Sequence, residues 1–304
     1  MFDVIIVGGG YAGLSAALQL GRARRDVLVI DAGERRNRSA AHAHGFLGHD
    51  GEAPDAIAAH GRADVAKYET VRFLDGKATA PRAIADGFEV QVDGKPHAAR
   101  RLILATGVKD ELPLIPGLWA RWGRSVFHCP YCHGYETDRG RLGLLATGPH
   151  AAHHARLIAE WAAPGQMTVF LHGGYEPDAA ARAELDAAGI ALEAVPVAAI
   201  EGDPPGVTVR LADDRAVALA GLFAMPRCHP HGDFAAALGC ALDENAFGAF
   251  YRVDMTRQTT VPGVFACGDI VTPAAIAVAV SDGVLAGVGA HRSLVFGLDK
   301  PTAR

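Results

Sequence analysis

The stretch Phe127–Glu136 runs FHCPYCHGYE and sets two thiols, Cys129 and Cys132, two residues apart, with His128 before the first and His133 after the second. Three chemistries use such a run. Cys-x-x-Cys-His attaches c-type haem, Cys-x-x-Cys is a redox dithiol, and the same residues are half of a structural zinc site. Two sulfurs at this spacing share one helical turn or tight loop and can bridge without moving the backbone. The thiolate is the working nucleophile in disulfide exchange, so a group must take its proton. His133 and His128 suit that task because imidazole titrates near neutrality, although His128 also fits an ordinary surface position. The ten residues alone leave the three chemistries open.

The chain that must position them has 304 residues, half of them apolar and 21% charged, the composition of a globular protein with room for two domains. A net charge of −5 argues against broad attraction to nucleic acid or anionic membrane. Five scattered cysteines are too few for a secreted disulfide framework. The N-terminus passes straight into the apolar run Val4–Val7 with no basic segment or signal-like core. The most apolar late segment, Ala274–Ala290, is interrupted by Ser281–Asp282 and falls short of a membrane span. The expectation is a cytoplasmic protein without a membrane partner, which weighs against haem because c-type attachment ordinarily follows export.

The first elements have an ordered grammar. DVIIVGGGYAGLSAALQLGRARRDVLVIDAG gives an apolar strand, a glycine turn, a small-residue helix and a second strand ending at Asp31. Gly8, Gly10 and Gly13 stand at G-x-G-x-x-G spacing, and Asp31 follows Gly13 by 18 residues. Each position has a physical task in dinucleotide binding. Gly8 allows the tight turn, Gly10 admits a pyrophosphate to the backbone, and Gly13 lets helix and strand pack closely. The helix N-terminus faces the phosphate charge, and Asp31 accepts from a ribose hydroxyl.

A second copy of the grammar, LGLLATGPHAAHHARLIAEWAAPGQMTVFLHGG, is altered. Gly8 becomes Ala146, Gly10 remains as Gly148 and Gly13 becomes Ala151. Pro149 has no N–H to aim at a phosphate. His172 occupies the acid's place before Gly173–Gly174, and no arginine stands there for a 2′-phosphate. A second α/β domain is expected; a ligand for it is not. Elsewhere RRLILATG reads as a strand ending at Thr106–Gly107, and LPLIPGL as a crossover. TTVPGVFACGD is a turn and short strand ending at Gly268–Asp269, followed by a long small-residue helix from about Ala274.

In this order the motifs resemble the low-molecular-weight, thioredoxin reductase-like FAD-dependent pyridine nucleotide-disulfide oxidoreductases, over nearly the whole chain. The resemblance implies an α/β fold of two Rossmann-like dinucleotide-binding domains, the second inserted into the first. Residues 1–114 and 244–304 would form the FAD-binding domain, and 115–243 an NAD(P)H-binding-like domain carrying the dithiol. FAD would be gripped by Gly8, Gly10, Gly13, Asp31, Thr106, Gly107, Gly268 and Asp269. Cys132 would face the flavin, and Cys129 would exchange with substrate. A homodimer is implied as well.

Within that family, CPYCHGYE and ERRNRSAAHAHGFLGHDG are most similar to dithiol oxidases of the gliotoxin and holomycin type. Three departures from true thioredoxin reductases fall where a nicotinamide cofactor would be held. They are the altered turn ATGPHA, the HGG that replaces a basic pair, and Ala274–Ala275 in place of an arginine–glutamine pair. They argue against NAD(P)H. The expected activity is therefore oxidation of a small-molecule dithiol, with oxygen reoxidising the flavin. The alternatives are a reductase driven by NAD(P)H or a protein donor, acting on a thioredoxin-like partner, and a flavin-bound redox sensor without turnover.

A zinc site would want two further ligands, and RCHPHGD offers Cys228, His229 and His231 only far along the chain, so no metal is expected. Cys240 and Cys267 lie in apolar runs and read as inert buried thiols. His42, His44 and His49 in AHAHGFLGHD read first as a solvated loop, with approach to flavin or substrate the alternative. With these weighed, CPYC reads as a redox pair working with FAD.

Overall fold

A computed structural model describes residues 1–298; the last six residues of the segment expected over 244–304 lie outside the described residues. The chain groups into two compact units. The first gathers Met1–Arg38, Gly45–Lys109 and the described residues from Cys228, and the second gathers Ser39–His44 and Asp110–Arg227. The sequence expectation put the joints at 114/115 and 243/244. Residues 228–243 group with the first unit because Phe234 and Cys240 bury themselves in one cluster with Val90, Leu102 and Val264. The Cys228 N–H also donates to the Phe247 carbonyl at 2.7 Å.

The first unit opens with β1 (Phe2–Val7), α1 (Tyr11–Arg22), β2 (Val27–Asp31) and α2 (Pro54–Ala66). It continues through β3 (Val71–Asp75), β4 (Thr79–Ile84), β5 (Gly87–Val92) and β6 (Lys95–Leu104). The sheet order is β3-β2-β1-β6-β5-β4. Val4–Val7 and Val27–Ile30 are buried throughout, as parallel strands covered on both faces must be. β6 is ten residues long and has two kinds of partner. Lys95–Ala99 pairs antiparallel with β5, and Leu102–Leu104 pairs parallel with the short strand Val264–Ala266.

The late small-residue helix spans Ile276–Phe296. It packs on α1 through glycine, where a Cβ on Gly283 would lie 2.1 Å from the Ala12 carbonyl oxygen and one on Gly287 2.8 Å from that of Ala16. The Ser15 hydroxyl donates across the contact to the Val280 carbonyl at 2.7 Å. On the neighbouring face, buried Asp282 accepts from Arg257 Nε at 3.0 Å and Nη2 at 2.6 Å.

The second unit has a parallel five-stranded sheet in the order Ile190–Glu193, Met167–Phe170, Leu142–Leu145, Gly221–Ala224, Val126–Phe127. Helices Ala151–Ala159 and Ala179–Ala187 connect its strands. The Asp178 carboxylate caps the latter by accepting from the Ala181 N–H at 2.8 Å. Strands Val197–Glu201, Val207–Leu211 and Ala216–Leu219 form a separate antiparallel sheet.

The Gly283 contact is testable. Gly283→Ala should destabilise the protein by about 1–3 kcal/mol through overpacking, outweighing the roughly 1 kcal/mol that alanine gains in a helix interior. Urea unfolding of wild type and variant measures the difference.

Candidate active site: a dinucleotide cradle and a dithiol turn

The cradle is assembled within the first unit from three separated parts of the sequence. Gly8 adopts φ +105°, and a Cβ there would lie 2.2 Å from the Ala105 carbonyl oxygen. A Cβ on Gly13 would lie 1.9 Å from the Gly8 carbonyl oxygen, and one on Gly268 2.9 Å from Ala12 Cβ. So the first turn, the end of β6 and the Gly268 turn meet around the start of α1. At Gly10, the residue before α1, a Cβ would meet nothing within 4 Å. This is the open space a pyrophosphate needs at a helix N-terminus whose N–H groups have no side-chain cap.

Asp31 Oδ1 accepts from the Gly9 N–H at 3.1 Å, and the carboxylate keeps a second oxygen for a ribose hydroxyl. The Thr106 hydroxyl is buried with no protein partner, and Gly107 beside it, at φ +67°, borders open space. An orphaned hydroxyl, an uncapped helix start and a gap at Gly10 fit a bound dinucleotide.

Asp269 accepts from Arg36 Nη1 at 3.0 Å, and the same guanidinium reaches Cys228 Sγ at 3.6 Å. Sequence reasoning passed over Arg36; its only signal was the basic run ERRNR soon after Asp31. Cys240 and Cys267 are buried, and burial pushes both thiols up, as inert cysteines require.

The dithiol turn belongs to the second unit. Cys129 precedes the single helical turn Pro130–His133, and its carbonyl accepts from the Cys132 N–H at 3.3 Å. The two sulfurs lie 2.6 Å apart. Gly134 follows the turn, and only glycine fits there, since a Cβ would lie 2.5 Å from the Pro130 carbonyl oxygen and 2.6 Å from the Trp161 ring. Trp161 in turn meets Tyr131 edge-on at 5.1 Å between centroids. Sequence alone gave this glycine no role.

His133 stacks on Phe127, ring centroids 4.3 Å apart and planes 14° from parallel. Both of its ring nitrogens are shielded from solvent without an aligned hydrogen-bond partner. Burial pushes its pKa below the usual imidazole value. Glu136 opposes that shift, His44 adds to it, and the nearby Cys129 carbonyl favours the charged ring only weakly. The result is a neutral imidazole beside Cys132, able to accept a proton. His128 turns its ring toward Trp122, centroids 6.0 Å apart. The AHAHGFLGHD loop divides between the units. His44 lies 3.4 Å from Glu136 in the second, while His49 stays in the first.

Comparison with known proteins extends the geometry. Residues 2–283 match the family model described as pyridine nucleotide-disulphide oxidoreductase. The thioredoxin reductase sirT of Leptosphaeria maculans is 36% identical, covering 96% of this chain and 94% of its own. The thioredoxin reductase tcpT of Claviceps purpurea is 34% identical, covering 88% and 86%. Among solved structures, an oxidoreductase from Agrobacterium tumefaciens superposes with a TM-score of 0.93 at 50% identity, covering 97% of this chain and 99% of its own. HlmI superposes with a TM-score of 0.88 at 37% identity, covering 97% and 92%.

Two outcomes follow from the geometry. Gly10→Leu should fill the open space before α1, so the purified protein loses most of its FAD while its far-ultraviolet spectrum is unchanged. His133 gives a pH dependence whose sign is fixed. Below about pH 6.5 the unfolded chain binds a proton that the folded ring resists, so stability falls as pH falls from there towards the depressed folded value. His133→Phe keeps the stack and removes that contribution. The decline of Tm between neutral and mildly acidic pH should become shallower, with half-buried His154, His231 and His291 among the groups that still contribute.

Proposed function

The chain belongs to the pyridine nucleotide-disulphide oxidoreductase family, and from that footing we propose that it oxidises small-molecule dithiols to disulfides, with oxygen as acceptor and without NAD(P)H. At the coarser level it is a thioredoxin reductase-like thiol–disulfide oxidoreductase and a flavoprotein. Gly8, Gly10, Gly13, Asp31, Thr106–Gly107 and Gly268–Asp269 would hold FAD. Bound there, FAD would supply the two-electron redox chemistry that returns the Cys129–Cys132 pair to its disulfide, with oxygen as the final acceptor.

The chain's own residues carry the thiol exchange. A substrate thiolate attacks Cys129 of the oxidised pair, a mixed disulfide forms, and Cys132 leaves as thiolate. The second substrate thiol then attacks the substrate sulfur of the mixed disulfide and expels Cys129. The substrate leaves as a disulfide, and the pair has gained two electrons. Neutral His133 takes a proton released by a thiol, with His128 on the other flank as its counterpart.

One observation supports the reading without NAD(P)H. His172, in the position of the ribose-binding acid, accepts from the Val197 N–H through Nδ1 at 3.0 Å. The ring therefore serves the main chain. Gly148 keeps open space as Gly10 does, but the Thr147 hydroxyl donates to the Met225 carbonyl, and Ala151 stands at the helix start. Several arginines of this unit are held by acids: Arg156 by Glu184, Arg182 by Glu176, Arg210 by Glu201, and Arg215 by Glu193 and Asp213. Losing two charge-assisted phosphate contacts at about 1.5–3 kcal/mol each weakens nucleotide binding by roughly two orders of magnitude or more. The names of the relatives favour a second reading, reduction of a thioredoxin-like disulfide by NAD(P)H or a protein donor.

Anaerobic stopped-flow separates the two. Dithiothreitol should bleach the flavin absorbance of the wild type and not of Cys129→Ser, with oxygen consumed on re-aeration. Micromolar NADPH or NADH should leave the absorbance unchanged. Rapid, saturable bleaching by either nucleotide would establish the reductase instead.

A further inference from the structure

Three side chains of the first unit that serve neither the cradle nor the dithiol converge on one point. His49 Nδ1 lies 3.3 Å from Glu52 Oε2, and His60 Nδ1 lies 3.7 Å from the same oxygen. Among the described residues this is the group of histidine, cysteine and acid side chains whose ligand atoms come together, all within 4.8 Å of one another. The local fold supplies the convergence. Gly48 (φ +89°) and Gly51 (φ +82°) turn the chain on either side of His49. The His49 N–H donates to the Phe46 carbonyl at 2.9 Å, and the Glu52 N–H to the His49 carbonyl at 3.2 Å. The His49 ring stacks on Phe46 at 5.1 Å, and α2 brings His60 over the turn.

A histidine–glutamate ion pair is the simpler account of these distances, and one detail speaks against it. His49 Nδ1 and Glu52 Oε2 are both shielded from solvent, yet neither has an aligned hydrogen-bond partner. A donor and acceptor satisfying each other would be aligned; two lone pairs aimed at a common third point would not. A tetrahedral ion with bonds of about 2.0–2.1 Å spaces its ligand atoms about 3.3–3.4 Å apart, which the 3.3 Å and 3.7 Å separations approach.

We propose that His49, Glu52 and His60 form a binding site for one divalent ion of the zinc class, through the two Nδ1 atoms and Oε2. Two imidazoles and one carboxylate suit zinc and its neighbours, whereas magnesium and calcium want oxygen ligands. The His60 side chain is 65% exposed, so the ion keeps water on its open side and exchanges with the medium. The site clips the turn carrying His49 to α2.

Isothermal titration tests the proposal on the yellow, FAD-loaded protein, stripped with chelator and with its dithiol held oxidised so that Cys129 and Cys132 do not compete. Zinc chloride should bind the wild type, and magnesium chloride should not. His60→Ala and Glu52→Gln should each remove one zinc equivalent or weaken it at least about tenfold, since lost metal-site contacts typically cost that much or more. His153→Ala, in the separate histidine run of the second unit, should leave that equivalent intact. Retained flavin absorbance and an unchanged Tm without metal establish that the variants are folded; exposed His60 is the safest of them. Wild-type protein that fails to bind micromolar zinc, or His60→Ala and Glu52→Gln proteins that bind it as the wild type does, would overturn the proposal.

Discussion

The first unit depends on contacts that no side chain could enter. On one side of α1 a Cβ at Gly13 would sit 1.9 Å from the Gly8 carbonyl oxygen, and on another a Cβ at Gly283 would sit 2.1 Å from that of Ala12. Helix α1 is thereby clasped between the turn after β1 and the helix Ile276–Phe296. Backbone held against backbone has no rotamers to relax, so the clasp fixes the helix start in position. The open space before α1 inherits that position, as do Thr106 and Gly268 beside it. Packing and ligand geometry here meet on the same helix.

The dithiol turn follows the same logic by different means. Gly134 lets Trp161 lie against the turn, which holds the two sulfurs at its head. Beside it, stacking on Phe127 removes His133 from water and keeps the ring neutral. Burial keeps the ring unprotonated at neutral pH, at the expense of its affinity for a proton. His44 and Glu136 adjust that balance from outside the turn, with opposite signs.

Both glycine turns, the dithiol and the strand–turn–helix–strand units around the turns were legible in the sequence, because each rests on residue types at short, fixed spacing. What was not legible acts through space. Arg36 meets Asp269 across more than two hundred residues of chain, and nothing in ERRNR says which arginine turns inward. The return to the first unit at Cys228 rather than at residue 244 depends on Phe234 and Cys240 finding that unit's core, a choice their own neighbours do not reveal. Weighing zinc by cysteine spacing directed attention to CPYC and RCHPHGD. The cluster at His49 draws its third member, His60, from a helix whose pattern looks ordinary.

The bond from the Val197 N–H to His172 constrains which residue can stand at 172. Val197 is buried, so its N–H needs an acceptor, and the imidazole supplies one. An arginine at 172, the replacement that would favour a 2′-phosphate, carries donors alone and would orphan that N–H at a cost of about 1–3 kcal/mol. Such a step is penalised in the fold before any gain in binding is felt, and it needs a second change near Val197 to become neutral. The hydrogen bond thus ties the residue type at 172 to the main chain at Val197.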